Sequence, residues 1–129
     1  MNSSTSSKER SKRAVRDRNA LPETAIRDVL IVIECSLKRT IHLSELASVA
    51  GFSPYHFARL FKNTMGITPM EFVIQSRVER AKRMMLDDDS SPLASIASAC
   101  GFADQSHLGR NFKRIVGVTP LEWRKRQSA

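Results

Sequence analysis

Cysteine is scarce in this 129-residue chain: Cys35 and Cys100 stand alone, with no partner at metal-ligand spacing. A zinc module and a multi-disulfide scaffold are therefore excluded. Both cysteines fall on apolar faces, which predicts buried, reduced thiols. A redox switch or a disulfide between the two is the alternative. No apolar run approaches the ~20 residues of a membrane span and none reads as a secretory h-region, so neither a span nor secretion is expected. Phosphate loops, nucleophile elbows, metal clusters and facing carboxylate pairs are also missing. No catalytic residue, metal or other cofactor is expected; a thiol activity at Cys100 is the least weak enzymatic reading. Acidic residues are outnumbered, 13 against 21 Lys and Arg, for a net charge of +8. A polyanion is the partner that this excess suits. The length allows one domain or two very small ones, and the protein is expected to be soluble and cytoplasmic.

What the chain does contain is a repeat. LSELASVAGFSPYHFARLFKNTMGITPMEFV at 43–73 returns as LASIASACGFADQSHLGRNFKRIVGVTPLEWR at 93–124. Leu43, Ala47, Gly51 and Phe52 match Leu93, Ala97, Gly101 and Phe102 at an offset of 50. One residue then enters. His56, Arg59, Phe61, Lys62, Gly66, Thr68, Pro69 and Glu71 match His107, Arg110, Phe112, Lys113, Gly117, Thr119, Pro120 and Glu122 at 51. Each copy reads as helix, tight turn, helix. The fold expected is all-α, with about seven helices: two helix-turn-helix subdomains, about 44–65 and 93–116, joined by a long linker helix over about 69–86.

Residues 1–20 are Ser-rich and basic, and predict a disordered tail ahead of a DNA-binding domain over 21–129. The tail is either an arm that follows phosphates or a solubilising leader. Ile26, Val29, Leu30, Ile33 and Leu37 keep helical spacing and predict a first helix over 23–38, with Lys38 and Arg39 at its C-terminal dipole. In the first repeat a helix over 43–50 ends at Gly51, and Phe52 enters the core. Ser53 caps a helix over 54–64 that begins at Pro54 and buries Phe57, Leu60 and Phe61. Thr68-Pro69-Met70-Glu71 is a capping box. The linker helix that it opens carries Ile74, Val78, Ala81 and Met85 as its apolar stripe. Its eighteen residues would span about 27 Å, close to one DNA turn. Asp87, Asp88 and Asp89 end it as a solvated acidic loop rather than a metal site. In the second repeat, helices over 92–99 and 105–115 are expected, the latter capped by Asp104. Leu93, Ile96, Ala97, Cys100, Phe102, Leu108 and Phe112 form its core, and a second capping box at Thr119 opens a terminal helix with Trp123.

In a helix-turn-helix the second helix enters the major groove. Opposite the buried ridges lie Tyr55, Ala58, Arg59 and Lys62 in one unit. Gln105, Ser106, Gly109, Arg110 and Lys113 lie so in the other, with His107 beside them. Arg59 and Arg110 suit guanine and Gln105 suits adenine, while Tyr55 suits sugar, phosphate or a thymine methyl. Lys62 and Lys113 sit farther back, where phosphates run. The amides of the helices capped at Ser53, Thr68 and Thr119 can also hold phosphate. The alternative for either arginine is a surface salt bridge. His56 reads as a packing residue. Gly109 fits either close DNA approach or tight packing.

LSELASVAGFSPYHFARLFK, GITPMEF, IQSRVERAKRMM and IASACGFADQSHLGRNFKRIVGVTPLEWR together resemble the AraC/XylS transcription regulators, over about residues 25–126. The resemblance implies two helix-turn-helix units on one long helix, reading the same face of promoter DNA, often as activators that contact RNA polymerase. By position it assigns base reading to Tyr55, Ala58 and Arg59, and to Gln105, Ser106, His107, Gly109 and Arg110. Arg77 matches a linker-helix arginine for which a structural role is expected. Ala58 lacks the polar group often found there, and Gly109 replaces a usual Ser or Thr. Most members add a sensor or dimerisation domain. The chain is either a small stand-alone member or the C-terminal half of a longer one. The expected function is sequence-specific binding of double-stranded DNA, open to a monomer, with no membrane partner. Nonspecific packaging of nucleic acid by charge is the competing reading.

Overall fold

Proline, glycine and small hydroxyl or carboxylate caps punctuate the chain, and most of the helices begin or end at them. The computed structural model describes residues 18–128. Within that range it holds seven helices and no strand: α1 (Glu23–Cys35), α2 (Leu43–Ala50), α3 (Pro54–Met65), α4 (Pro69–Asp87), α5 (Leu93–Ala99), α6 (Gln105–Val116) and α7 (Pro120–Ser128). The all-α expectation and its helix count hold. None of these helices is long and apolar enough to cross a membrane.

The helices fall into two compact units. One runs up to Cys35 and takes in Ile41–Glu71; the other is Ser36–Thr40 with the chain from Phe72 onward. In the first, α1 packs on α2 and α2 on α3. Ala25, Val29 and Ile33, one helical turn apart, are buried along α1, and Leu46, Phe57, Leu60 and Phe61 are buried with them. Leu21 is only 2% exposed, and its N–H donates to Thr64 Oγ1 at 3.0 Å. The ordered chain thus starts ahead of position 21. Arg18 and Asn19 form a turn where a disordered tail was expected. The rest of that tail, residues 1–17, lies outside the described residues.

In the second unit, Val78, Ala81 and Met85 of α4 share a core with Ile96, Ala97, Cys100, Phe102, Leu108 and Phe112. Leu93 and Trp123 pack at its edge, so Leu93 is partly rather than fully buried. Trp123 meets Phe112 edge-on at 5.9 Å, and Lys82 Nζ lies 5.8 Å from the Trp123 ring centroid. Val73 is buried near the start of α4, in place of the Ile74 that the stripe nominated.

Three other expectations are corrected. The first helix stops at Cys35 instead of 38: the chain tightens into a turn, with Arg39 N donating to Ser36 O at 3.1 Å. Arg77 Nε donates to Leu37 O at 3.0 Å and its Nη2 to Arg39 O at 2.8 Å, so both carbonyls bind a guanidinium rather than a helix ladder. This is the structural role expected of Arg77. The early helix end leaves Lys38 and Arg39 outside the helix whose dipole they were to compensate. Phe52 is half-buried instead of in the core. Cys35 is exposed, whereas Cys100 is buried as expected. Cys35 lies two residues beyond the buried Ile33, about 200° around the helix, and so faces away from the core.

Burial pushes the Cys100 thiol above its ordinary value, against the opposing pull of Arg80 and Arg77. Its thiolate is the reactive form. Iodoacetamide should therefore add one adduct to the native protein, on Cys35, and two in urea. Mass spectrometry of the intact chain reads the count, and native labelling of Cys100 would contradict its burial.

Candidate nucleic-acid interface

Each capped helix is built the same way. Ser53 Oγ accepts from His56 N at 3.3 Å, and Asp104 Oδ1 accepts from His107 N at 2.8 Å. Gly66 and Gly117 close α3 and α6, their N–H groups donating to Lys62 O and Lys113 O, each at 2.8 Å. The residue inserted in the second repeat is Ala103. Its N–H donates to His107 Nδ1 at 3.1 Å, so the longer turn is tied to the helix that it precedes.

Both histidines pack rather than point outward. His56 meets Phe52 edge-on at 5.2 Å and 88°, and His107 meets Phe102 at 5.3 Å and 87°. Base reading by His107 would have to proceed beside that contact, with Nδ1 already accepting a hydrogen bond.

Away from the buried ridges the side chains are polar and open. Tyr55 is 81% exposed. Arg59, Lys62, Gln105, Ser106, Arg110 and Lys113 are exposed, and Ala58 and Gly109 are half-buried. Tyr55, Arg59 and Lys62 all fall within about 35° of the direction opposite the Phe57–Leu60–Phe61 ridge at 100° per residue. Opposite Leu108 and Phe112, Arg110 points directly away and Ser106 lies about 40° from that direction. Among the described residues no carboxylate forms an ion pair with Arg59 or Arg110. A Cβ added to Gly109 would meet nothing within 4 Å, so tight packing does not explain that glycine.

The residues expected to present amides to phosphate use their own hydroxyls as caps. Thr68 Oγ1 accepts from Glu71 N at 3.2 Å. Thr119 Oγ1 accepts from Glu122 N at 3.1 Å and donates to Glu122 Oε1 at 2.9 Å, while Thr119 N donates to the same carboxylate at 3.4 Å. These contacts hold the Glu122 carboxyl below its ordinary range. The acidic loop is satisfied from within: Asp88 accepts from Ser90 N, Ser90 Oγ and Ser91 Oγ, and its pKa is lowered by them.

Sequence reasoning missed the neighbours of Arg59. Arg59 Nη1 donates to Asn19 Oδ1 at 3.5 Å, and Arg18, Asn19, His56 and Arg59 line one cleft of about 380 Å³. The available signal was Leu21-Pro22, an apolar anchor placed directly after the basic segment.

These features define a tandem helix-turn-helix protein with a polar, cation-bearing face on the second helix of each unit. A family model described as a helix-turn-helix domain matches residues 46–126. The chain is 40% identical over 83 residues to a putative AraC-like transcription regulator of Streptomyces antibioticus, covering 64% of this chain and 27% of that one. It is 32% identical over 107 residues to the probable transcription factor PqrA of Proteus vulgaris, covering 81% of this chain and 87% of that one. Among solved structures, the DNA-binding domain of AdpA in complex with a target DNA is similar, with a TM-score of 0.70 and 27% identity, covering 79% of this chain and 90% of that one. The chain belongs to the AraC-type helix-turn-helix family of transcription regulators. It spans about a third of the length of several curated relatives, 36% and 32% for two of them.

Proposed function

We propose that this chain binds double-stranded DNA sequence-specifically, laying α3 and α6 in successive major-groove segments of a promoter. The observation that carries this is the matched pair of reading faces. In each unit an exposed arginine stands six residues after a capped helix start, Arg59 after Ser53 and Arg110 after Asp104. Charge neutralisation alone needs no such register. The solved relative bound to its target DNA supports the same reading.

Arg59 and Arg110 present guanidinium forks to guanine edges, and Gln105 presents its amide to adenine. Tyr55 and Ser106 complete the polar face, and Ala58, with only a methyl, suits a thymine methyl. Gly109 lets the α6 backbone approach the groove without a side chain between. Lys62 and Lys113 neutralise phosphates. The amides that open α3, α4 and α7, behind Ser53, Thr68 and Thr119, hold further phosphates. With both readers on one chain, a monomer suffices for an asymmetric site of about two turns. On this reading the regulator acts as an activator that contacts RNA polymerase.

The test is binding selection from a random duplex pool at physiological salt, with wild type, Arg59→Ala and Arg110→Ala. Wild type should enrich a two-part motif. Each variant should lose about 1–3 kcal/mol and blur a different half of it. Steeply salt-dependent binding without a motif would favour charge-driven packaging instead.

A further inference from the structure

The Arg18–Asn19 turn is carried by the first recognition helix. Leu21, next but one along the chain, is buried, and its N–H donates to Thr64 of α3; the Thr64 hydroxyl in turn donates to Leu60 O at 2.8 Å. The turn is thereby held on α3, the helix that presents Arg59. Its two polar side chains come to the reading face: Asn19 Oδ1 accepts from Arg59 Nη1, and Arg18 lines the same cleft as Arg59 and His56. Phe52, Pro22 and Leu60 complete the apolar side of that cleft.

We propose that this turn is a third element of the first unit's DNA-reading surface. Asn19 is a positioning residue that steers the Arg59 guanidinium, and Arg18 neutralises a backbone phosphate beside the base that Arg59 reads. The proposal rests on the DNA-reading assignment of α3 and deepens it.

The chemistry favours steering over simple attachment. A guanidinium has five N–H donors, and a guanine edge uses two. One donor given to the Asn19 carbonyl leaves a fork for the base and restricts a long, flexible side chain to one direction. Pre-orienting a side chain in its bound conformation raises affinity by reducing the ordering that binding must impose. Arg18 has no such partner to steer. It brings a second positive charge to a cleft that already holds Arg59, an arrangement suited to a phosphodiester rather than to a neutral ligand. In sequence both residues belong to a basic run, and only the fold brings them to a recognition helix.

The experiment uses the full chain with the duplex selected by wild type and with duplexes altered at single positions. Asn19→Ala should reduce discrimination about fivefold at the position blurred by Arg59→Ala, and leave the other positions alone. Arg18→Ala should weaken binding to all duplexes alike and reduce the slope of log K against log salt by about 0.9. Circular dichroism melting checks that both variants stay folded; both residues are exposed, so the melts should match wild type. Uniform loss over all positions for Asn19→Ala, or an unchanged profile, would overturn the steering role. An unchanged salt slope for Arg18→Ala would overturn the phosphate contact. A wild-type protein with no sequence preference would instead remove the DNA-reading assignment itself, and is recognised before any variant is compared.

Discussion

Gly101→Ala is expected to lower stability by about 3–5 kcal/mol, while Gly51→Ala, at the matching place in the first repeat, should cost about 1 kcal/mol. Both glycines follow a short helix with left-handed backbone, φ +84° at Gly51 and +90° at Gly101. An alanine at either one carries the left-handed penalty. The surroundings separate them. A Cβ on Gly51 meets nothing within 4 Å. A Cβ on Gly101 would overlap the Leu37 carbonyl oxygen and sit 2.8 Å from Arg77 Nε. Backbone cannot swing aside as a side chain can, so the 36–40 segment would have to retreat. Arg77 would then lose the carbonyls of Leu37 and Arg39, and hydrogen bonds to a charged group are each worth about 1.5–3 kcal/mol. Urea denaturation followed by far-UV circular dichroism measures both variants. Equal costs at the two glycines would refute the overlap.

Phe112→Ala should cost about 3–5 kcal/mol, the range found when a fully buried aromatic ring is truncated. Phe112 is completely buried in the second unit's core and braces Trp123, the chain's single tryptophan, edge-on. Trp123 therefore reports this loss directly. Its emission should shift to the red in the folded variant, and its urea midpoint should fall. An exposed position on the same helix offers the control: Lys113→Ala should leave both signals near wild type, since surface changes stay within about 0.5 kcal/mol. A Phe112→Ala midpoint equal to that of Lys113→Ala would mean that the ring is not part of the core.

The repeat, the helix starts and most helix stops were legible because they rest on local chemistry. Ser53 and Asp104 cap the next turn's amides, and Gly66 and Gly117 end helices by their own backbone preference. The face opposite Phe57, Leu60 and Phe61 follows from helical period alone. What escaped depends on residues far away in sequence. Leu37 continues the apolar period of α1, yet it lies past the helix end, in a turn, and its carbonyl accepts from Arg77, forty residues on. Cys35 looked interior because it closely follows five apolar residues, 29–33, although the buried ridge runs through Val29 and Ile33. Val73 and Ile74 are adjacent and both apolar, so composition could not say which faced inward. The place of Asn19 beside Arg59 needed the Leu21–Thr64 hydrogen bond, which no pattern along the chain announces.

The segment Ser36–Thr40 is threaded early and belongs, by its contacts, to the unit completed last. The two repeats are therefore not two cassettes laid end to end. On the ribosome, the carbonyls of Leu37 and Arg39 emerge well before the guanidinium that will claim them, and they wait through the whole first helix-turn-helix. A copying event that duplicated only residues 43–73 would have produced a second unit without this anchor. The second unit instead includes a piece of the chain that precedes the first repeat, so a fragment beginning at Phe72 would leave the Arg77 guanidinium without the carbonyls of Leu37 and Arg39.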